Sequence, residues 1–429
     1  MTAMKKSFIC GVFVCLSTVL HAQVTIGRCV VLAQENYPLV KKYDLLRHTE
    51  GIELSDICKS WLPQIVVSGQ VTFQNVVPSF PEALSDVLDR MGTEMSGLGK
   101  LQYKVGLDLS QPIWDGGVAK AQREAARASH AERHAVLATQ LYAIRERVES
   151  IFFGVLLADE QIRQTQATLR LLQSNLERMK SMKANGTAMQ SDVDMVEAQC
   201  LEMLQQLIRV QSVSRDYRRL LGLFTGMDMQ NALLEKPLAE MPGDMAVNRP
   251  ELELFEAQTQ ANEARRSSIM SGLMPKVGLF AQAYYGYPGF DYFKSMMNRD
   301  MSFNMVAGVK VSWSIGAFYM KKNNERKLQI ASENISADRD VFLFNTRLQT
   351  QSQTGRISEL EDIMKEDSRI VELRANVRRA AEAQLENGVI DATALLSKIT
   401  DENQARLASA YHEIQLIQSI YQLKYTLNR

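Results

Sequence analysis

Two histidines, His130 and His134, stand one helical turn apart, a spacing that lets two imidazoles share a metal ion. The residues between them, Ala131-Glu132-Arg133, are not the metalloprotease pattern, and the pair reads as part of a solvated helix face. Met296, Met297, Met301 and Met305 gather near a loop. Thioethers suit soft metals, but flexible packing accounts for the cluster more simply. Beyond the N-terminal segment the cysteines are Cys29, Cys58 and Cys200, an odd number at wide spacing that is neither a disulfide framework nor a zinc pattern. The chain has no phosphate-binding glycine loop of the Walker type and no recognisable nucleophile motif. The residues therefore point away from an enzyme and call for neither cofactor nor metal.

The bulk composition narrows the class further. Forty-nine basic residues balance 49 acidic ones, so the electrostatic footprint of a nucleic-acid binder is missing. Lys5 and Lys6 precede an apolar run from Phe8 to Leu20 and then His21-Ala22-Gln23. That order reads as a cleaved leader over residues 1–22, and the run is short for a membrane-spanning helix. Cys15 follows Val14 and Cys29 follows Arg28, so neither has the small preceding residue that lipidation requires. No later stretch is apolar enough for a transmembrane helix.

The chain is internally duplicated. Asn36, Pro38 and Pro63 match Asn248, Pro250 and Pro275 at one constant offset. Gly106, Ser110, Ile113, Asn185 and Gly186 match Gly308, Ser312, Ile315, Asn387 and Gly388 at another. The offset changes between Pro63 and Gly106, where the first copy carries a longer loop. The first repeat spans 23–247: a helix, strands at about 64–75 and 100–113, a helical hairpin at about 118–222 and a connector at about 222–247. The second spans 248–429: a helix, strands at about 276–287 and 301–315, and a hairpin at about 317–427.

Each strand alternates with period two, which gives one apolar and one polar face. Ile65, Val67, Val71 and Phe73 alternate with Ser68, Gln70 and Thr72; Leu101 to Leu109 alternate with Lys104 and Asp108. Val277 to Tyr287 oppose Lys276, Gln282 and Tyr284, with Phe280 an exception, and Phe303 to Trp313 oppose Asn304 and Lys310. Runs of about 10–13 residues suit tilted strands crossing a bilayer, with Tyr103, Tyr287 and Trp313 as girdle residues. The same alternation also fits a half-buried sheet in a soluble domain. Four strands cannot close a membrane barrel alone, so the membrane reading requires an oligomer.

The helices are too long for one globular core. From Val118 to Lys183 there is no proline, and the run would extend roughly 100 Å at 1.5 Å per residue. A second run covers Phe318 to Leu385. Each ends at Asn-Gly, a helix-stop signal. In the returning helix Ser191 and Asp194 have capping-box spacing, and Val193, Val196, Cys200, Met203, Leu207 and Val210 form a coiled-coil seam. Leu407, Ile414, Ile417, Tyr421 and Tyr425 form a similar stripe in the second copy.

In this order of elements the chain resembles the TolC family of outer-membrane efflux ducts. The most specific features are Leu62-Pro63 and Met274-Pro275 entering strands, Gln111-Pro112-Ile113-Trp114-Asp115-Gly116-Gly117 leaving one, and the paired Asn-Gly tips. The second exit, Ser314-Ile315-Gly316-Ala317-Phe318, lacks the proline and the paired glycine. The resemblance implies an α+β membrane protein that works as a homotrimer. Its four strands per chain would contribute to one twelve-stranded β-barrel in outer-membrane lipid, continued into the periplasm by an α-helical coiled-coil barrel. It implies a passive efflux conduit for small molecules such as drugs, coupled through a periplasmic adaptor (membrane fusion) protein to an inner-membrane pump. Lys104, Asp108, Lys276 and Lys310 would face the lumen, and Asn185-Gly186-Thr187 with Asn387-Gly388-Val389 would be the adaptor-docking tips. Asp192 matches a family gate aspartate, but Ile390 and Leu385 stand where the family has arginine and tyrosine, and Ala394 and Ser397 replace two channel aspartates. A gate built from Asp192, Leu385 and Ile390 would therefore close by apolar packing. The alternatives are the exit duct of a type I protein secretion system and, in another class, a soluble periplasmic coiled-coil scaffold.

Overall fold

The computed structural model describes residues 23–92 and 97–429; the leader segment, 1–22, lies outside them. The chain runs α1 (Ile26–Asn36), α2 (Lys41–Lys59), β1 (Gln64–Phe73), α3 (Glu82–Arg90), β2 (Leu101–Trp114), α4 (Val118–Ala184) and α5 (Gln190–Thr225). It continues α6 (Pro250–Ser271), β3 (Lys276–Tyr287), α7 (Tyr292–Met297), β4 (Ser302–Ser312), α8 (Ala317–Glu386) and α9 (Ala392–Leu427). Two compact units result. One holds the chain to Val40 with Gln140–Arg249 and Asn345–Arg429; the other holds Lys41–Thr139 with Pro250–Phe344.

The second unit carries the sheet, four antiparallel strands in the order β1-β2-β3-β4. Its register joins the apolar sets of all four strands. Val67 pairs with Leu107, Leu107 with Ala283, and Ala283 with Met305. Directly opposed residues share a face, so the alternation read along each strand becomes a single apolar surface. Phe280, the aromatic exception on the polar face, pairs with Gly308 and lies over it; a Cβ there would meet the ring at 3.0 Å. β4 stops at Ser312, short of the expected 315, and the Trp313 indole N–H turns to the carbonyl of Leu273 at 2.9 Å.

The strand loops hold two helices, α3 and α7, that no hydrophobic run announces. Met296 of α7 and Leu98 of the β1–β2 loop bury Tyr287, and the Tyr287 hydroxyl accepts from the Gly99 N–H at 2.6 Å. At 3 % exposure Tyr287 is not a lipid-facing girdle residue. Trp61, Trp114 and Trp313, all exposed, instead collect at the other end of the strands, where they join the helices. There Asp115 caps α4 by accepting from the N–H groups of Gly117 and Ala119. The second exit needs no such turn, because α8 starts at once from Ala317.

In the same unit each repeat ties its first helix to its long helix. Glu53 on α2 meets His130 on α4 at 2.9 Å, and Asn262 on α6 meets the Leu328 carbonyl and Ser332 on α8, both at 2.8 Å.

The other unit packs α1 against α4, α5 and α9. Cys29, Ala33, Val148, Phe152, Phe153 and Leu221 fill its core. The seam on α5 is buried at Val193, Val196, Cys200, Leu207 and Val210. On α9 the expected stripe is buried at Ile414 and Ile417 and is only part of what is buried. Ile420, Leu423 and Leu427 form a second face packed on Ile357 of α8. The repeated asparagines have a visible role at the ends of the return helices. The Asn36 side-chain amide donates to the carbonyls of Leu223 and Phe224, where α5 ends at left-handed Gly226. The Asn248 carbonyl accepts from Asn428, the left-handed residue that ends α9.

α5 runs to Thr225, past the expected limit at 222, and the connector follows. Val24 bridges Leu234 in parallel, and Arg218 donates to the carbonyls of Met229 and Ala232 while meeting Asp159 at 2.6 Å. Arg218→Met is expected to leave these acceptors without a donor and to cost about 1–3 kcal/mol. Limited proteolysis should then cut between Gly226 and Val247 at lower protease concentration; an unchanged pattern would remove Arg218 as the connector's clamp.

Candidate functional site

Three places in the fold concentrate the residues singled out by sequence. The first is the sheet. Its apolar face stands open, with Val71 73 %, Phe73 74 % and Phe303 68 % exposed. Lys104, Asp108, Lys276 and Lys310 lie together on the opposite face, by the register of β2, β3 and β4. The Lys104 ammonium sits 5.7 Å from the centre of the Tyr284 ring. β1 and β4 each pair with a described strand on one side only.

The second place is the pair of hairpin tips, and the two are built alike. Gly186 takes φ +75° and donates to the Lys183 carbonyl, and Thr187 donates to Met182 at 2.9 Å. Gly388 takes φ +70° and donates to Leu385, and Val389 donates to Gln384 at 2.9 Å. Those bonds satisfy the last carbonyls of α4 and α8, the usual use of glycine after a helix. Asn185, Gly186, Thr187, Asn387, Gly388 and Val389 are all exposed.

The third is the ground between the tips. Leu385 is buried in one cluster with Leu172, Met179, Val193, Val196 and Ile399, and Ile390 packs against it. That cluster draws on α4, α5, α8 and α9, so both hairpins meet in it. A cavity of about 570 Å³ beside it is lined by Asp192, Leu385, Ile390 and Ala394. Asp192 does not reach across. Its carboxylate accepts from the Met189 N–H at 2.9 Å, closing the first turn of α5. The box read from Ser191 and Asp194 is thus displaced, because α5 begins at Gln190 and places Asp192 three residues after the cap.

Polar links between hairpins do exist, at positions the sequence did not mark. Arg178 and Glu386 approach to 2.7 Å without hydrogen-bond alignment, and Thr168 donates to Asn403 at 2.7 Å. They lie on different hairpins at unmatched positions of the repeat, so neither spacing nor duplication could have paired them.

The chemistry-bearing side chains outside these places are structural. His130 is 1 % exposed, not part of a solvated face, because α2 covers it. His134 stacks on Tyr43 at 5.6 Å. Among the described residues no group of three or more His, Cys, Asp or Glu is placed to hold a metal. Met296 packs on Tyr287 while Met305 lies on the open sheet face. Burial pushes the Cys29 thiol up to about 11, which keeps it protonated and inert.

Gly186→Val and Gly388→Val are each expected to cost about 1–2 kcal/mol or more, since left-handed backbone disfavours a branched side chain even in open space. Gly355→Val, inside α8 with the same open space, should cost nothing. Hydrogen exchange at Thr187 and Val389 reads the difference; equal protection in all three variants would mean the tips impose no left-handed turn.

Residues 58–221 match the family model described as outer membrane efflux protein. No curated protein matches. Among solved structures, the chain is similar to the outer membrane protein VceC of Vibrio cholerae at 12 % identity and TM-score 0.68, covering 94 % of this chain and 95 % of that one. It is similar to the outer membrane channel CmeC of Campylobacter jejuni at 13 % identity and TM-score 0.65, covering 94 % and 85 %. The outer membrane channel MtrE of Neisseria gonorrhoeae, at 12 % identity and TM-score 0.65, covers 94 % and 88 %. At these identities the likeness is one of fold, and the fold agrees with the sequence pattern matched in the first repeat. Residues 58–221 thus carry the pattern of the outer membrane efflux protein family, and the whole chain has the fold of these outer membrane channels.

Proposed function

We propose that the chain is the outer-membrane channel of a tripartite efflux system, a passive conduit that carries small molecules from periplasm to exterior. The open sheet carries this reading. A continuous apolar face this exposed is untenable in water, and edge strands with free N–H and C=O groups are untenable in lipid. Three copies supply twelve strands, more than the roughly eight of the smallest membrane barrels, and joining β1 of one copy to β4 of the next removes every edge. The apolar face then meets outer-membrane lipid, and Lys104, Asp108, Lys276 and Lys310 line the lumen.

The helices would continue the duct into the periplasm. Their exposed tips, with Val389 69 % and Met189 70 % accessible, offer small apolar surfaces for a periplasmic adaptor that joins the duct to an inner-membrane pump. The cluster around Leu385 and Ile390 would hold the periplasmic end closed, and Asp192 would serve its own helix. A soluble scaffold would leave the sheet face uncovered.

Purified from outer membranes in detergent, the protein should run as a trimer, and cross-linking in the membrane should trap three chains. Val71→Lys and Leu107→Lys should impair insertion, each by about 2–4 kcal/mol near the midplane. Gln70→Glu, on the other face and opposite Lys104, should insert normally. A monomer or dimer in the membrane, or equal damage from all three changes, would refute the barrel.

A further inference from the structure

The polar face of the sheet has an uneven charge. Its charged strand residues are three lysines, Lys104, Lys276 and Lys310, and one carboxylate, Asp108. Lys276 pairs with Ser312 and Lys310 with Gly278, so the two lysines are diagonal neighbours across β3 and β4. Diagonal side chains in an antiparallel pair lie about 7–8 Å apart, close enough for like charges to repel. Asp108 does not neutralise them. It pairs with Gln282, four residues along β3 from Gly278, a separation of about 13 Å. Lys104 is four residues from Asp108 on its own strand, the same distance in the other direction. None of these four side chains forms an ion pair with a described residue. Asp115, beside Lys276 and Lys310 at the strand ends, accepts from the N–H groups of Gly117 and Ala119 and keeps its negative charge, so the two lysines outnumber the one carboxylate there.

Stability alone does not favour this arrangement, since two adjacent unpaired lysines raise the energy of the sheet. Aromatic surface accompanies the charges: Tyr284 lies under Lys104, and Phe280 covers Gly308 one pleat from Lys310. We infer that the barrel wall of this channel selects anions, and that the solutes it favours are anionic small molecules with an apolar part. The inference rests on the proposed lumenal facing of this surface. Three copies would place nine ammonium groups against six carboxylates, those of Asp108 and Asp115, around one water-filled passage.

Reconstituted trimer in planar bilayers under a potassium chloride gradient tests it. Leu385→Ser with Ile390→Ser, neutral changes that loosen the tip cluster, serve as background so that the barrel limits the current. Salt is kept below about 0.1 M, where the screening length is at least about 10 Å. The reversal potential should have the sign set by chloride. It should move toward zero with Lys104→Gln, Lys276→Gln and Lys310→Gln combined, and change sign with the three glutamate changes. A potassium-selective parent channel, or a reversal potential unmoved by the glutamine variant, overturns the inference. An absence of conductance steps fells the duct reading and this inference together, whereas steps of the wrong sign fell only the inference.

Discussion

The structure depends on the hydrogen-bonding needs of two strand edges. β2 and β3 are paired on both sides, and β1 and β4 on one. A backbone group without a partner is costly wherever water is excluded. The sheet also keeps its apolar residues on one face through every register pair from Val67 to Met305. Among the described residues the outer edges of β1 and β4 have no strand partner, and the apolar face of the sheet has no cover. The loops fit the same scheme: Leu98 and Met296 cover Tyr287 at one end of the strands and leave the middle of the face open.

The helical unit solves a different problem, the packing of helices 67 and 70 residues long. It uses short apolar clusters in place of one core, and each joins elements distant in sequence. Phe152 and Phe153 meet α1 and α9 in one; Leu385 and Ile399 meet Leu172 and Val196 in another. Duplication keeps the backbone devices and lets the side chains diverge. Gly226 and Asn428 end the two return helices in the same left-handed turn, while His130 with Glu53 gives way to Ser332 with Asn262.

What could be read from sequence follows from how local each signal is. Period-two alternation is written in consecutive residues, so the four strands and the two faces were legible, including the side taken by Lys104, Asp108, Lys276 and Lys310. The tip glycines were legible because left-handed backbone asks for one residue type. His130 was misread because its spacing on α4 says nothing of α2 lying above it. Tyr287 was misread because its cover comes from Leu98 and Met296 in loops without a period. Arg178 and Glu386 were invisible for the same reason, being neighbours only once two hairpins stand side by side.

The pairing of β2 with β3 bears on the order in which the chain folds. β1 with β2, and β3 with β4, are hairpins that form from nearby residues, but Tyr103 meets Tyr287 only across the whole of α4, α5 and α6. Closing so long a loop is slow and entropically unfavourable if the intervening chain is loose. Folding α4 and α5 back on each other at Gly186 shortens the loop that remains to be closed. The sheet would therefore mature last, in two halves zipped together along one central seam. Until then the apolar strands remain two separate hairpins, β1 with β2 and β3 with β4.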